Sequence, residues 1–174
     1  MTAVAGDAGH ERMDPTQCLH GALGSLCAEE RARVVVTLPD SLPAVRAVAV
    51  QLERAILDIL VNALEAGRNV VMHAAAEERT VKFLSRSAAP APVEPGRYMV
   101  IEVKDDGPGV HPRIESSLFK TFSTTKGSGR GNGLAEVSRV MASHQGYVEI
   151  QSSGAGSTAR LFLPLARANK VYGA

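Results

Sequence analysis

The chain has 174 residues with 45% hydrophobic content, enough for one domain with a sizeable core but not for two. Lys and Arg number 19 against 18 for Asp and Glu, so the net charge of +1 implies no nucleic acid or anionic membrane as a partner. The sequence has no apolar run like a signal peptide's at its start and no stretch of bilayer-spanning length, and we expect it to be cytoplasmic.

The N-terminal part predicts a helix and then a strand. Residues 1–13 are polar, and we expect them to be disordered. A helix is predicted from Pro15 to about Ala32, because Asp14 followed by Pro15 is typical of a helix start and apolar residues recur at spacings of three and four. Alternating β-branched residues then predict a strand over Arg33–Leu38.

The two cysteines, Cys18 and Cys27, lie nine residues apart in this predicted helix. Neither belongs to a CxxC pair or to a Cys/His cluster with metal-binding spacing. We interpret both as thiols of the core.

A second helix is predicted from about Val48 to Ala66, where apolar residues form a stripe at the helical period and Gly67 supplies a stop. The following segment, Arg68–Glu78, is compatible with a helix or a strand, and we interpret it as a short helical extension.

Two alternating segments, Thr80–Arg86 and Tyr98–Val103, predict an antiparallel strand pair joined by a solvated Pro/Ala-rich loop. A third helix is predicted over Leu134–His144, and YVEIQS and STARLFLPL predict a closing hairpin around the SGAG turn. Together these elements predict a mixed sheet covered on one face by helices, with a frayed tail at residues 166–174.

A polar amide stands in the apolar second helix at Asn62. Asp58 precedes it by four residues and Glu65 follows it by three, so all three side chains can project from one face. Magnesium takes one or two protein oxygens beside phosphate oxygens, which suits an isolated Asn with a nearby acid. The alternative is a helix whose polar residues face solvent.

Asp106 follows the strand YMVIEVKD, and the turn DGPG bends the chain after it. A carboxylate at a strand end can accept a hydrogen bond from an adenine amino group, and Gly107 and Gly109 allow the backbone to approach the ring. The alternative is an ordinary Asp-Gly turn.

A run of alternate glycines, KGSGRGNGL, precedes the third helix and contains Gly127, Gly129, Gly131 and Gly133. Glycines leave room for phosphates, and the amides at the start of the helix favour anions. The alternative is a flexible linker, although an apolar helix follows directly. The pattern fits neither the P-loop nor the Rossmann fingerprint, since GxxxxGK[ST] is absent and no apolar strand precedes the run.

The order of these segments resembles the catalytic ATP-binding domain of two-component sensor histidine kinases, in the superfamily shared with gyrase, mismatch-repair ATPases and a heat-shock chaperone. LDILVNALEA resembles the N box, DDGPGV the first glycine box, LFKTFSTTK the F box and GRGNGLAEV the second glycine box. The resemblance covers residues 14–165. It implies an α+β Bergerat fold, a two-layer sandwich of a mixed, mostly antiparallel sheet with three main helices on one face.

The resemblance also implies roles for residues that match the boxes. Asn62 corresponds to the Asn that binds Mg2+, with Glu65 as a neighbour, and Asp106 to the Asp that recognises adenine. We carry Asn62, Glu65 and Lys126 over as candidate catalytic residues.

The remaining candidates belong to the ATP pocket and its mobile lid, roughly residues 110–132. Gly107 and Gly109 would shape the pocket, and Lys126 would contact a phosphate. The other positions carried over for nucleotide binding are Thr124, Thr125, Gly129, Gly131, Gly133 and Leu134.

The chain lacks the helical hairpin with the phosphoacceptor His, so the resemblance implies a separate His-containing dimerisation and phosphotransfer domain and a response regulator as partners. The second glycine box departs from the family pattern at Arg130 and Asn132. This departure leaves open a degenerate, non-catalytic protein-interaction module. A stand-alone serine kinase like the anti-sigma factors of the same superfamily, which are similar in size, is a further alternative.

Overall fold

The computed structural model describes residues 9–79, 87–88, 94–111, 119 and 133–166. The elements within these ranges are, in chain order, β1 (Glu11–Met13), α1 (Thr16–Gly24), α2 (Ala28–Ala32), β2 (Val34–Thr37), β3 (Val45–Ala47), α3 (Ala49–Ala66), β4 (Val70–Arg79), β5 (Ser87–Ala88), β6 (Gly96–Asp105), α4 (Gly133–Ser143), β7 (Tyr147–Ser153) and β8 (Gly156–Pro164). None of the helices in these ranges has the length and hydropathy needed to cross a bilayer.

The main sheet has six strands in the order β2-β4-β6-β8-β7-β5. β2 and β4 pair in parallel, and the other neighbours are antiparallel. The helices α1, α3 and α4 pack together and share one hydrophobic core with the sheet. The predicted α+β two-layer sandwich with a mixed, mostly antiparallel sheet is confirmed.

The helix α3 lies at the centre of the helical layer and confirms the predicted stripe. It spans Ala49–Ala66 and ends where Gly67 N donates to Ala63 O at 2.9 Å. Its stripe falls at the helical period, so a single face enters the core. The buried residues are Leu52, Ala55, Ile56, Ile59, Leu60, Ala63 and Leu64.

The N-terminal part differs from the prediction. The single helix expected to Ala32 is two helices, because the chain turns at Ser25 and α2 starts anew with Cys27 N donating to Glu30 Oε2 at 2.9 Å. Glu11–Met13, predicted to be disordered, form β1, which pairs with β3. Residues 1–8 lie outside the described ranges.

This break also explains the outcome for the cysteines. Cys18 is buried in α1, as predicted, and burial raises the pKa of its thiol to about 11. The prediction for Cys27 is wrong: it is exposed, because it precedes α2 in the turn between the two helices.

The segment Arg68–Glu78, predicted to be a short helical extension, instead forms most of the strand β4. Its burial alternates over Val70, Met72 and Ala74, so tertiary contacts override the helix propensity of its three consecutive alanines. The predicted pairing of Tyr98–Val103 with Thr80–Arg86 is also wrong. Over those residues β6 is paired with β4 on one side and with β8 on the other.

The C-terminal predictions are confirmed with small shifts of boundary. α4 spans Gly133–Ser143, and β7 and β8 form the closing hairpin. On the sheet face away from the main core a second buried cluster contains Tyr98, Val100, Tyr147 and Phe162, with the last two rings stacked at 4.4 Å between centroids. The predicted tail from residue 167 onwards lies outside the described ranges.

A buried histidine follows α4 and holds the start of α3. His144 is 4% exposed, and its Nε2 accepts a hydrogen bond from Val48 N at 3.0 Å, while Nδ1 contacts Val140 O at 2.7 Å. This pattern requires a neutral ring with the proton on Nδ1. Burial lowers the pKa of His144, the carbonyl of Val140 opposes that shift, and the His10 ring at 4.6 Å lowers it further.

Lowering the pH from about 7.5 to about 5 should therefore reduce the free energy of unfolding through His144. A folded-state pKa below the ordinary value of 6.5 gives stability that is complete above 6.5 and is lost as the pH falls through the lower value. Urea unfolding of the wild type, His144→Gln and the exposed control His20→Gln across this range measures the effect. We expect His144→Gln alone to flatten the pH dependence; equal slopes in all three proteins would contradict the prediction.

Candidate functional site

The end of α3 lies directly against the turn that follows β6. A Cβ built on Gly67 would lie 2.6 Å from Asp106 Oδ1, and one built on Gly107 would lie 2.6 Å from Ala66 O. Such distances leave no room for a side chain at either position, so the two backbones touch. The N box and the first glycine box of the sequence therefore form one contact region.

Asp105 is the last residue of β6 and points into the protein. Side chains alternate across a strand, and Asp105 falls on the same face as Val103 and Ile101, which are in the main core. It is 6% exposed, and its Oδ1 accepts hydrogen bonds from Gly107 N at 2.8 Å and Ser157 N at 3.3 Å. Among the described residues, its Oδ2 has no hydrogen-bond partner.

Asp106, the sequence-based candidate, lies one residue further and is exposed. Its Oδ1 accepts from Arg68 N at 2.6 Å and from Asn69 N at 3.0 Å, and its Oδ2 accepts from Asn69 Nδ2 at 2.7 Å. The hydrogen bonds of Asn69, followed by that of Arg68, lower the pKa of Asp106 to about 2. Both of its oxygens are thus engaged in holding the segment after α3, and the geometry favours Asp105 as the carboxylate able to receive a ligand.

Asn62 faces the first residue of α4. A Cβ built on Gly133 would lie 3.4 Å from Asn62 Nδ2 and 3.9 Å from its Oδ1. The half-buried Leu134 packs against the main core and seats the start of this helix. The predicted N box and second glycine box therefore meet where α3 contacts α4, and Glu65 lies exposed on the last turn of α3.

Asp58 lies one turn before Asn62 and is 16% exposed. Burial raises the pKa of Asp58, the ion pair with Arg54 at 3.0 Å lowers it, and Glu136 of α4 raises it. The Asp58 carboxylate already forms an ion pair with Arg54, so this contact sets its position at least in part.

Gly109 connects the glycine turn to the β7–β8 hairpin. It has a φ of +78°, and a Cβ there would lie 2.0 Å from Ser153 O. The next residue is fixed by the same hairpin, because Val110 N donates to Ser152 Oγ at 2.6 Å. Gly156 closes the contact from the other side, with a φ of +133° and a Cβ position 2.1 Å from Asp105 O. The hairpin thus supports the turn that carries Asp105.

The predicted phosphate contacts lie outside the described residues. These are Thr124, Thr125, Lys126, Gly129 and Gly131. Of the F box, Phe119 is described, and it is partly buried against the main core.

The family comparison agrees with this geometry. Residues 47–167 match the model of the family described as histidine kinase-, DNA gyrase B- and HSP90-like ATPases. The matched range contains α3, the glycine turn, α4 and the closing hairpin. The chain belongs to this ATPase family.

Relatives with similar sequences are named as a sensory histidine kinase and a sensor protein. The chain is 32% identical over 134 residues to the sensory histidine kinase/phosphatase NtrB of Rhodobacter capsulatus, covering 76% of this chain and 37% of that protein. It is 32% identical over 152 residues to the sensor protein FixL of Bradyrhizobium diazoefficiens, covering 86% of this chain and 28% of that protein. The chain thus spans about a third of the length of these relatives.

Solved structures share the fold. Full-length ShkA in complex with AMPPNP superposes with a TM-score of 0.67 at 22% identity, covering 91% of this chain and 32% of that one. The histidine kinase domain of the Escherichia coli osmosensor EnvZ gives a TM-score of 0.61 at 22% identity, covering 99% of both chains. At this identity the likeness establishes the architecture alone.

Replacing Gly109 by Ala should destabilise the protein by about 1–3 kcal/mol, because the residue combines a positive φ with a carbonyl where the methyl group would lie. Gly154→Ala in the neighbouring hairpin turn is the matched control, since nothing lies within 4 Å of its Cβ position. Chemical denaturation measures both variants. Similar small losses of stability in the two variants would contradict the prediction, because the turn would then accommodate the added methyl group.

Proposed function

We propose that this chain is the catalytic ATP-binding domain of a histidine kinase and transfers the γ-phosphate of ATP to a His on a separate dimerisation and phosphotransfer domain. The observation that carries the proposal is a pair of contacts on the same side of α3: Asn62 lies beside Gly133 of α4, and Ala66 lies against Gly107 in the turn that follows Asp105. Family membership supports it, and the domain would occupy residues 14–165.

Asp105 is the proposed adenine acceptor in place of Asp106. The amides of Gly107 and Ser157 fix its Oδ1, which leaves Oδ2 to accept a hydrogen bond from an exocyclic amino group. Gly107 and Gly109 lack side chains beside it, so a flat ring could approach the backbone. ShkA, which shares the fold, was solved with AMPPNP.

Asn62 is the proposed Mg2+ ligand, with Glu65 as its neighbour. The donor set fits this ion, because a half-buried amide oxygen lies beside the amino end of α4, where phosphates are favoured. When bound, Mg2+ supplies neutralisation of phosphate charge. The chain itself would orient the nucleotide, with Thr124, Thr125, Lys126, Gly129 and Gly131 near the phosphates and a lid over residues 110–132 excluding water.

The partners would be a His-containing dimerisation domain and a response regulator, acting in the cytoplasm where ATP is available. NtrB, a similar protein, carries the name of a sensory histidine kinase, which favours this function over a serine kinase or a non-catalytic module. Because the chain spans about a third of the length of NtrB and FixL, it would work with domains beyond the one described.

Asp105→Asn should weaken binding of AMPPNP by about ten- to a hundredfold, since a hydrogen bond to a charged group contributes about 1.5–3 kcal/mol. Asp106→Asn should have a smaller effect, and the exposed Asp40→Asn is the charge-matched control. Isothermal calorimetry gives the dissociation constants. A larger loss for Asp106→Asn than for Asp105→Asn would return the adenine contact to Asp106.

Asn62→Ala should lower phosphotransfer from γ-labelled ATP by about a hundredfold, because the reaction depends on positioning. The exposed amide Gln51→Ala on the same helix is the matched control. The assay uses a panel of purified His-containing dimerisation domains, and the label should be acid-labile and alkali-stable. Acid-stable, alkali-labile label would support the serine kinase, and absence of nucleotide binding would support the non-catalytic module.

A further inference from the structure

The carboxyl end of α3 needs partners that α3 itself does not supply. The last four carbonyls of a helix lack partners within it, and they carry the negative end of the helix dipole. Gly67 N satisfies Ala63 O at 2.9 Å, but the last turn of α3 contains no basic residue. A donor, preferably cationic, must therefore come from another element.

Arg33, the residue before β2, supplies that donor. Its Nη2 donates to Leu64 O at 2.7 Å and also to Gly67 O, and its Nε donates to Arg68 O at 2.9 Å. Its own carbonyl accepts from Val70 N at 3.0 Å, which ties the start of β2 to the start of β4. One half-buried side chain thus binds three carbonyls around the end of α3.

The segment that follows α3 is also bound by an anion, the carboxylate of Asp106. We call residues 67–69 the α3–β4 connection. Arg33 binds the carbonyls of Gly67 and Arg68, and Asp106 binds the amides of Arg68 and Asn69. The cationic Arg33 therefore binds carbonyl oxygens of this connection, and the anionic Asp106 binds its amide N–H groups.

This connection touches the proposed ATP site directly. Its first residue, Gly67, packs against Asp106 and Gly107, and Ala66 O packs against Gly107. Asn62 lies on α3 four residues before Ala66, on the same side of the helix. A shift of the α3 end relative to β6 would therefore move Asn62 relative to Asp105.

We propose that Arg33 is a positioning residue whose guanidinium fixes the carboxyl end of α3 and thereby sets the distance between Asn62 and Asp105. The role rests on the proposed function, since it joins the magnesium side of the nucleotide site to the adenine side. The donors of Arg are spread over a rigid planar fork that matches the three carbonyls, whereas the three donors of Lys share one nitrogen, so Lys should replace it in part.

The test compares the gain in AMPPNP affinity on adding Mg2+ in the wild type, Arg33→Met and Arg33→Lys by calorimetry. Arg31→Met is the matched control, because Arg31 lies two residues away and binds a single carbonyl, Val34 O at 3.1 Å. We expect Arg33→Met to reduce the Mg2+-dependent gain about tenfold and Arg33→Lys to reduce it less. Arg31→Met should keep the wild-type gain.

Thermal melts without nucleotide separate positioning from stability. An Arg33 variant that melts earlier but keeps the wild-type gain overturns the proposal, because Arg33 then contributes stability alone. If Arg33→Met does not fold, Arg33→Lys decides: an unchanged gain in that variant overturns the proposal. Absence of AMPPNP binding in the wild type overturns the proposed function itself and this role with it, so the two failures are distinguishable.

Discussion

The backbone contact between the end of α3 and the turn after β6 is the constraint on which the rest of the site depends. Gly67 and Gly107 make it possible, since a methyl group at either position would overlap a backbone or carboxylate atom. Packed backbones of this kind have few alternative arrangements, because the peptide groups around them must stay hydrogen-bonded. The contact therefore fixes the helix that carries Asn62 against the strand that carries Asp105.

Asp105 and Asp106 are adjacent in sequence but have different roles, because only Asp105 lies within the strand β6. Asp105 is the last residue of β6 and faces the helices, whereas Asp106 has left the strand and faces solvent. Asp106 accepts three hydrogen bonds from the α3–β4 connection and is fully committed to them. Asp105 receives two amides on one oxygen, an arrangement that orients a carboxylate without using all of it.

Local sequence patterns predicted much of this fold. The parts that depend on pairing between distant segments were not predicted. The stripe of α3 is a strong periodic signal and the SGAG turn marks the hairpin of β7 and β8, and these elements were predicted correctly. The segment Val70–Arg79 was not, because its three consecutive alanines favour a helix until β2 and β6 pair with it. Alternation along β6 could have placed Asp105 inside, since Ile101 and Val103 share its face. No local signal marks Arg33, whose partners lie more than 30 residues away.

The helix α3 is held at both ends by side chains of other elements, and the two ties differ in chemistry. At the amino end, Val48 N donates to His144, a contact that requires a neutral imidazole. At the carboxyl end, the guanidinium of Arg33 donates to carbonyl oxygens of Leu64 and Arg68. Protonation of His144 in mild acid removes the hydrogen bond that holds the amino end. Hydrogen bonds from Asn69 and Arg68 lower the pKa of Asp106, so its carboxylate stays ionised in mild acid and keeps accepting from these amides. The two ties of α3 therefore respond differently to acid, because the contact at the amino end depends on a neutral His144 and the Asp106 contacts beside the carboxyl end do not.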